Sequence, residues 1–183
     1  GYRLAESLGL SCAVATRVAR ADAELPEHVE FPYVLAVERF DRKGGRRIHM
    51  EEVCQALGYE PRQKYGKGMA QDLPTLLRVL DRLSADPAND VQEVVRRVVA
   101  FVLMGNTDAH LKNWALLYPD GLRPVLAPLY DPVCVSAWFA EIGPAEYALN
   151  RRIDEAFRAL SWDDLAGILK ASGVPRPSRL LAI

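Results

Sequence analysis

Three oxygen-bearing side chains in the middle of the sequence have types and a spacing that suit phosphoryl transfer. Asp108 and Asn113 lie five positions apart in a polar stretch, and Asp131 follows 18 positions after Asn113. One carboxylate of such a set can take the proton of an attacking hydroxyl group. Amide and carboxylate oxygens are hard ligands of the kind that Mg²⁺ prefers, and they leave room for phosphate oxygens and water. The set therefore predicts a phosphoryl-transfer centre in which carboxylate and amide oxygens hold Mg²⁺.

The elements predicted around these residues would bring them together. Valines recur at helical spacing over a wide face of residues 90–104, which predicts a buried helix that ends at Gly105. Residues 114–118 and 122–127 are apolar runs on either side of Pro-Asp-Gly at 119–121, and they predict a β-hairpin. Protein kinases use the same order, with a catalytic Asp, a metal-binding Asn five residues later, a hairpin and a second metal-binding Asp.

Each of these residues also has an ordinary structural interpretation. A D-x-x-x-x-N pair occurs by chance in many chains, with Asp108 as a helix cap and Asn113 in a turn. Asp131 precedes a proline and by itself is typical of a turn, and His110 alone is more often a hydrogen-bonded structural histidine than a base or ligand. The joint pattern of buried helix, polar loop and hairpin favours the catalytic interpretation.

The first forty residues predict a mixture of helix and strand. Residues 2–8 place their apolar side chains on one helical face, and Gly9 stands where a helix would end. Residues 12–18 and 33–40 are apolar and rich in β-branched side chains, and a polar loop separates them. They predict two strands joined by a hairpin or loop.

Helical spacing predominates from about residue 50 onward. Residues 50–57 predict a helix, and so does the leucine stripe at 73–83, for which Asp72 is the expected N-cap. Apolar side chains at 153–160 share one helical face, and residues 161–164 resemble a capping box ahead of a last helix. The predicted fold class is α+β and predominantly helical.

The composition excludes several classes of protein. The chain has 183 residues, a formal charge of -1, 50% hydrophobic residues and a mean hydropathy of -0.06. A chain of this size can bury a core without disulfides or metal, and a dedicated nucleic-acid binder would carry a basic excess. The three cysteines form no C-x-x-C pair, so neither a zinc cage nor a disulfide framework is predicted. No long apolar run or signal-like start is present, so we expect a cytoplasmic protein without membrane contact.

Three blocks of the sequence carry a resemblance to a known family. They read E-R-F-D-R at 38–42, T-D-A-H-L-K-N at 107–113 and P-L-Y-D at 128–131. In order and spacing they resemble the E-R-F-D-R, T-D-x-H-x-K-N and P-x-Y-D blocks of the HipA family. Weaker matches at 52–58 and at Lys64-Tyr65 extend the resemblance from about residue 1 to residue 137. Members of that family are bacterial Ser/Thr kinases, many of them toxins of toxin–antitoxin pairs.

The resemblance implies a role for each matching position. Asp108 would be the catalytic base, and Asn113 and Asp131 would be the Mg²⁺ ligands. The ATP site would be lined by three hinge residues, four residues of the catalytic loop and two residues that follow the hairpin. They are Glu38, Arg39, Phe40, His110, Leu111, Lys112, Asn113, Tyr130 and Asp131. Without the resemblance, Glu38 and Arg39 would be an exposed ion pair worth about 0 to 1 kcal/mol, and Phe40 a core aromatic residue.

Two features of a kinase N-terminal lobe are missing from the sequence before residue 41. Kinases cover the phosphates with a Gly-rich loop and grip them with a strand lysine. Residues 1–40 contain no lysine, and their only glycines are Gly1 and Gly9. We therefore expect residues 1–42 to be a remnant of the N-terminal lobe with the hinge strand, and residues 43–183 to form a kinase-like C-terminal lobe. A fragment of this kind is expected to be weakly active or inactive.

The resemblance further implies partners and leaves other functions open. A HipA-like kinase would phosphorylate a protein substrate such as a translation factor, would be restrained by a small helix-turn-helix antitoxin and would meet DNA only through that partner. A second hypothesis is a non-catalytic, pseudokinase-like module that binds an antitoxin or repressor. A third is a small-molecule phosphotransferase, which would not be expected to carry E-R-F-D-R. A Gly-rich loop and a strand lysine encoded upstream would separate the first two.

Overall fold

Helices and small antiparallel sheets alternate along the chain. The computed structural model describes residues 1–23, 25, 28, 30–106, 108–134 and 162–173. The helices are α1 (Tyr2–Ser7), α2 (Val53–Ala56), α3 (Met69–Leu83), α4 (Pro87–Met104) and α5 (Trp162–Ser172). The strands are β1 (Ala15–Ala19), β2 (Tyr33–Val37), β3 (Arg42–Lys43), β4 (Arg46–Arg47), β5 (His49–Glu52), β6 (Ala115–Tyr118) and β7 (Val125–Leu126). The prediction of an α+β fold that is mostly helical is confirmed.

Helix α4 forms the centre of the core, as its valine spacing predicts. Its buried valines pack in one cluster with side chains of α3, α5 and β6. Fully burying such a side chain stabilises the fold by about 1.5–3 kcal/mol. The helix begins at Pro87, three residues before the predicted start, because the Asp86 side chain accepts a hydrogen bond from Asn89 N–H and caps it. It ends at Gly105, whose φ of 57° is the left-handed conformation that glycine adopts without strain.

Helix α3 buries the first four leucines of the predicted stripe, whereas Leu83 is 58% exposed, and the predicted N-cap was wrong. Gly68 occupies the N-cap position, and Asp72 lies inside the first turn. The buried Asp72 carboxylate accepts hydrogen bonds from Lys67 N–H at 2.8 Å, Gly68 N–H at 3.1 Å and the Tyr59 hydroxyl at 2.7 Å. It therefore closes the preceding loop onto the helix, because a carboxylate in the first turn can accept from exposed N–H groups before it.

A three-stranded sheet in the order β5-β6-β7 carries the predicted hairpin on two of its strands. Strand β6 pairs antiparallel with β7 and also with β5, where Met50 lies opposite Leu117. The prediction of a helix over residues 50–57 was wrong at its start, because Met50 lies in β5 and the helix covers only α2. A capping box between Glu52 and Gln55 and a hydrogen bond from Val53 N–H to Trp114 O at 2.8 Å mark the change from strand to helix.

The N-terminal residues form the predicted helix and strand pair. Strands β1 and β2 pair antiparallel, with Ala15 opposite Val37. The second strand ends at Val37, so residues 38–40 follow the strand and do not extend it. Strands β3 and β4 form a short hairpin, which turns through Gly44 and Gly45 with φ of 55° and 75°. Asp41 lies at the open end of this hairpin, where its carbonyl oxygen accepts a hydrogen bond from Ile48 N–H at 2.9 Å.

Helix α5 completes the described core. Its buried residues Leu165, Ile168 and Leu169 join the cluster that contains α3 and α4. It ends at Gly173, which has a φ of 72°, as the sequence predicts. The helical face predicted at 153–160 and the first residue of the predicted capping box lie outside the described residues. None of the described helices is both long enough and apolar enough to cross a membrane.

Candidate active site

Two asparagines of the loop that carries Asp108 fix the backbone of that residue. The loop connects the end of α4 to β6 and contains a single 3-10 turn, Leu111–Asn113. The buried Asn106 side chain accepts a hydrogen bond from Asp108 N–H at 3.0 Å. The Asn113 amide Nδ2 donates to the carbonyl oxygen of Asp108 at 2.9 Å. Both backbone polar groups of Asp108 are thus fixed, while its carboxylate remains 44% exposed to solvent.

Asp131 converges on the same loop from the end of the hairpin. Asn113 Nδ2 lies 3.2 Å from Asp131 Oδ2 and donates a hydrogen bond to it. The same amide therefore contacts Asp108 and Asp131, which are far apart in sequence. The structure brings together the three residues that the sequence analysis selected for phosphoryl transfer.

The backbone of Asp131 adopts a conformation that is rare for a residue other than glycine. Its φ is 55°, in the left-handed region, and it is the only such non-glycine residue among those described. A conformation of this kind costs on the order of 1–3 kcal/mol unless its surroundings hold it. Here Asp131 N–H donates to the hydroxyl oxygen of Tyr2 at 3.1 Å. Burial raises the pKa of Tyr2, so this hydroxyl stays protonated at neutral pH.

His110 lies behind Asp108 and faces away from open solvent. Its Nε2 is 3.9 Å from Asp108 Oδ1, and its side chain is only 10% exposed. The ring meets the edge of Tyr65 at a centroid distance of 5.7 Å. Burial lowers the pKa of His110, and the positive charge of the nearby Lys64 lowers it further. The imidazole is therefore neutral at pH 7. Its buried Nδ1 has no hydrogen-bond partner among the described residues.

A cleft of about 320 Å³ opens beside Asp131. It is lined by Tyr2, Leu35, Val37, Glu38, Arg39, Phe40, Asp41, Met50, Glu52, Tyr130 and Asp131. Five residues that the resemblance assigns to an ATP site are in that set, namely Glu38, Arg39, Phe40, Tyr130 and Asp131. The other four, His110, Leu111, Lys112 and Asn113, belong to the loop that carries Asp108 and are absent from the described lining of the cleft. Asn113 reaches the edge of the cleft through its hydrogen bond to Asp131.

Tyr130 connects the cleft to the loop that carries Asp108. Its hydroxyl donates to the carbonyl oxygen of Lys112 at 2.7 Å, and its ring packs against Phe40 at a centroid distance of 5.4 Å. Burial strongly raises the pKa of Tyr130, which keeps the hydroxyl protonated as a donor. Lys112 Nζ lies 4.0 Å from Glu52 Oε2 at the rim. Phe40 is therefore both part of a small apolar cluster and a wall of the cleft.

An ion pair orders the chain between the end of β2 and β3. Arg39 donates two hydrogen bonds to the two oxygens of the Asp41 carboxylate, each at 2.7 Å, and Arg42 also donates to that carboxylate. The hydrogen bonds from Arg39 lower the pKa of Asp41 to about 2. Arg39 thus pairs with the buried Asp41, and the ion pair with Glu38 considered from the sequence is not the one that forms.

Acidification is expected to remove the stabilisation that Asp41 contributes. Its pKa is about 2 in the folded chain against an ordinary value of 3.8, so the folded state favours the ionised carboxylate. This contribution is complete above about pH 4 and is lost as the pH falls through about 2. Urea unfolding at about pH 5 and about pH 2 should show a smaller change in midpoint for Asp41→Asn than for the unchanged protein. Equal changes in the two proteins would contradict this role of Asp41.

Comparison with known proteins decides the family. The sequence profile described as "HipA-like C-terminal domain" matches residues 1–181. The chain belongs to this family.

Relatives of this HipA-like domain are kinases by name. It is 38% identical over 132 residues to "Putative kinase Y4dM" of Sinorhizobium fredii, covering 72% of this chain and 31% of that protein. It is 31% identical over 193 residues to "Serine/threonine-protein kinase toxin HipA" of Shewanella oneidensis, covering 95% of this chain and 41% of that protein. The chain thus spans roughly a third to two fifths of the length of these relatives.

A solved structure shares the fold of this HipA-like domain. The Shewanella oneidensis toxin–antitoxin complex of HipA, HipB and operator DNA contains a chain that matches with a TM-score of 0.65 and 27% identity. The match covers 98% of this chain and 43% of that chain.

The side-chain oxygens of the HipA-like site suit the Mg²⁺ that kinases use. The Asn113 amide nitrogen donates to Asp108 and Asp131, and within the described part of the chain its oxygen Oδ1 accepts no hydrogen bond. No cluster of three His, Cys, Asp or Glu residues exists among the described residues, so a metal cage made only of those side chains is absent there. Mg²⁺ is commonly bound by one or two protein oxygens with phosphates and water, and Asn113 and Asp131 fit that pattern.

Six cleft residues were missed by the sequence analysis, namely Tyr2, Leu35, Val37, Asp41, Met50 and Glu52. Leu35 and Val37 alternate on one face of β2, which is a detectable period-two pattern. Met50 would have been found if residues 49–52 had been assigned to a strand. Nothing in the sequence near Tyr2 indicates that its hydroxyl meets Asp131, because the two residues are 129 positions apart.

Proposed function

We propose that this chain is the nucleotide- and metal-binding part of a HipA-like protein Ser/Thr kinase, which transfers the γ-phosphoryl group of ATP to a protein hydroxyl. The observation that carries the proposal is the single Asn113 amide that bonds both Asp108 at 2.9 Å and Asp131 at 3.2 Å. In a kinase, the catalytic base and the metal ligands must converge on one triphosphate.

Asp108 is the general base in this proposal. Its carboxylate is exposed enough to meet a substrate hydroxyl, and its backbone is fixed on both sides by Asn106 and Asn113. Burial lowers the pKa of His110, which disfavours protonation of its imidazole and leaves Asp108 as the better acceptor of the substrate proton. The carboxylate takes the hydroxyl proton as the oxygen attacks, which is a contribution of about 10²- to 10⁴-fold for a positioned base.

Asn113 and Asp131 would hold Mg²⁺ in this proposal. The bound ion would neutralise negative charge on the phosphate groups of ATP. The chain contributes the position of the two ligand oxygens, because Tyr2 holds the backbone of Asp131 and the catalytic loop holds Asn113. Lys112, paired with Glu52 at the rim, adds positive charge on the same side.

The cleft beside Asp131 is the proposed adenine site. Leu35, Val37 and Met50 line it together with the rings of Phe40 and Tyr130, which suits a flat aromatic base. Glu38 N–H already donates to Val14 O at 2.9 Å, and Arg39 O accepts from Arg42 N–H at 3.1 Å. Among the described backbone hydrogen bonds, Glu38 O and Phe40 N–H have no backbone partner. An acceptor and a donor two residues apart are what the edge of an adenine requires.

The partners and the location follow from the same proposal. The Shewanella oneidensis HipA structure contains HipB and operator DNA. We extend that arrangement to this chain as part of a cytoplasmic toxin kinase with a protein substrate and a helix-turn-helix antitoxin, which meets DNA only through the antitoxin. A second candidate is a non-catalytic module that binds the antitoxin or a repressor.

Calorimetric titration of the full-length protein with ATP tests the proposed metal site. With Mg²⁺ present, Asp131→Asn is expected to bind ATP at least tenfold more weakly than the unchanged protein, because a charged metal ligand is lost. With EDTA the two proteins should bind ATP equally. Asp163→Asn, which changes an exposed carboxylate on α5, should match the unchanged protein in both buffers. Equal Mg-ATP affinity for Asp131→Asn would remove Asp131 as a metal ligand.

A further inference from the structure

A buried ion pair within α4 has no part in the chemistry proposed above. Arg97 is 1% exposed and lies in the middle of the helix. Its Nε donates to Glu93 Oε1 at 2.9 Å, one turn earlier in the same helix. The guanidinium also lies 6.0 Å from the centroid of the Trp114 ring. The pair is therefore enclosed between α4 and the start of β6.

The two side chains of this pair also form hydrogen bonds with backbone groups of two other segments. Arg97 Nη2 donates to the carbonyl oxygen of Ala127 at 2.9 Å and lies 3.4 Å from that of Ser11. Glu93 Oε1 accepts from Ser11 N–H at 3.1 Å. The ion pair thus binds backbone groups of Ser11 and Ala127, which are far from each other in sequence.

These two segments continue directly to Asp131. Leu129 N–H donates to Ser11 O at 2.7 Å, and Ala13 N–H donates to Leu129 O at 2.8 Å, so the segments are paired with each other. Ala127 N–H donates to Ala115 O at 2.9 Å, which leaves the Ala127 carbonyl for Arg97. Asp131, with its φ of 55°, follows two residues after Leu129. The hydrogen bond from Arg97 to Ala127 thus ties the segment that leads to Asp131 to α4.

Stability alone is a weak reason for an arginine at this position. Burying two charges costs about as much as their attraction returns, and an apolar pair of similar volume is often neutral or stabilising. A guanidinium differs from an apolar side chain in fixing the distance and direction of each acceptor that it binds. The acceptor here is a carbonyl four residues before a proposed metal ligand.

We propose that Arg97 is a positioning residue for Asp131, which sets the metal affinity of the site by fixing the Ala127 carbonyl to α4. The inference rests on the proposed function, because it takes Asp131 as a metal ligand. Arg97 does not contact the metal or the nucleotide. It acts through the backbone of residues 127–131, and Glu93 orients its guanidinium.

The test measures metal binding directly in the full-length protein bound to ATP. Mn²⁺ replaces Mg²⁺, and free Mn²⁺ is followed by electron paramagnetic resonance. The main variant is the double substitution Glu93→Gln with Arg97→Met, which removes both charges and keeps an acceptor oxygen for Ser11 N–H. We expect the Mn²⁺ dissociation constant to rise about 10- to 100-fold, as for other residues that orient metal ligands. ATP affinity in EDTA should stay close to that of the unchanged protein, and thermal unfolding should show that the double variant is folded at the assay temperature.

Two comparisons separate this inference from the proposed function. Arg96→Met changes the adjacent arginine of the same helix and should leave the Mn²⁺ affinity unchanged. Asp131→Asn should lower the Mn²⁺ affinity; if it does not, the proposed metal site is wrong. If Asp131→Asn lowers the affinity and the folded double variant does not, only the role of Arg97 is wrong. A double variant that loses ATP affinity in EDTA as strongly as Mn²⁺ affinity would also overturn it, since that result indicates general damage to the site.

Discussion

Replacing Asp108 with asparagine in the full-length protein is expected to slow phosphoryl transfer by about 10²- to 10⁴-fold. Asparagine has nearly the same shape but cannot accept the hydroxyl proton. The loop should keep its conformation, because Asn106 and Asn113 bond the backbone of Asp108 and not its carboxylate. Single-turnover transfer from labelled ATP to a protein hydroxyl measures the rate, and calorimetry should show an Mg-ATP affinity close to that of the unchanged protein.

The matched control for this experiment is Asp163→Asn, which alters an exposed carboxylate on α5 and should retain the full rate. A rate for Asp108→Asn equal to that of the unchanged protein would rule out Asp108 as the base. If the unchanged protein binds Mg-ATP but transfers no phosphoryl group, the non-catalytic binding module becomes the better hypothesis.

Replacing Arg97 with alanine is expected to lower the free energy of unfolding by about 3–5 kcal/mol. The substitution leaves Glu93 buried without its cation and removes the Arg97 donor from the carbonyl oxygen of Ala127. It also leaves a cavity beside Trp114, whose ring lies 6.0 Å from the guanidinium carbon. Urea unfolding at neutral pH measures the loss, which should appear as a lower midpoint.

Arg96→Ala is the control for the loss of an arginine from α4. Arg96 is only partly buried, so its replacement by a strong helix former should change the free energy of unfolding by no more than about 0.5 kcal/mol. Adding Glu93→Gln to Arg97→Ala should recover part of the loss, because no unpaired charge remains. A loss below about 1 kcal/mol for Arg97→Ala would show that water reaches Glu93 in the variant.

Helices with strong periodicity and clear end residues could be predicted from the sequence. The valines of α4 and the leucines of α3 repeat over several turns, and Gly105 ends α4 in the left-handed conformation that glycine favours. The hairpin of β6 and β7 has a turn tripeptide between apolar runs. In these elements the deciding interactions are local, so neighbouring residues contain the information.

Elements that depend on distant partners could not be predicted in the same way. Met50 fits a helical pattern with Val53 and Leu57, and its place in β5 is decided by pairing with Leu117. Asp72 has the chemistry of an N-cap, yet the helix starts earlier because the carboxylate accepts from Lys67, Gly68 and Tyr59. In both cases the tertiary contact outweighs the local preference.

The candidate site, too, could be predicted from the sequence only in part. The motif spacing and the family resemblance predicted that Asp108, Asn113 and Asp131 would converge, and the structure places them within hydrogen-bonding contact of one amide. The sequence could not distinguish Arg97 from Arg96, since only the positions of Ser11 and Ala127 make Arg97 a buried donor. The roles of the site residues remain predictions for the experiments above.

The pairing of β5 with β6 has a consequence for how the chain folds. Residues 49–52 meet residues 115–118 across a long loop that contains α2, α3 and α4. Closing such a loop costs chain entropy before any strand hydrogen bond is gained, whereas helices form from local contacts. We therefore expect the helical core to form first and the sheet to close on it afterwards. The loop that carries Asp108, which enters β6 directly, would then be among the last parts of the protein to reach its final geometry.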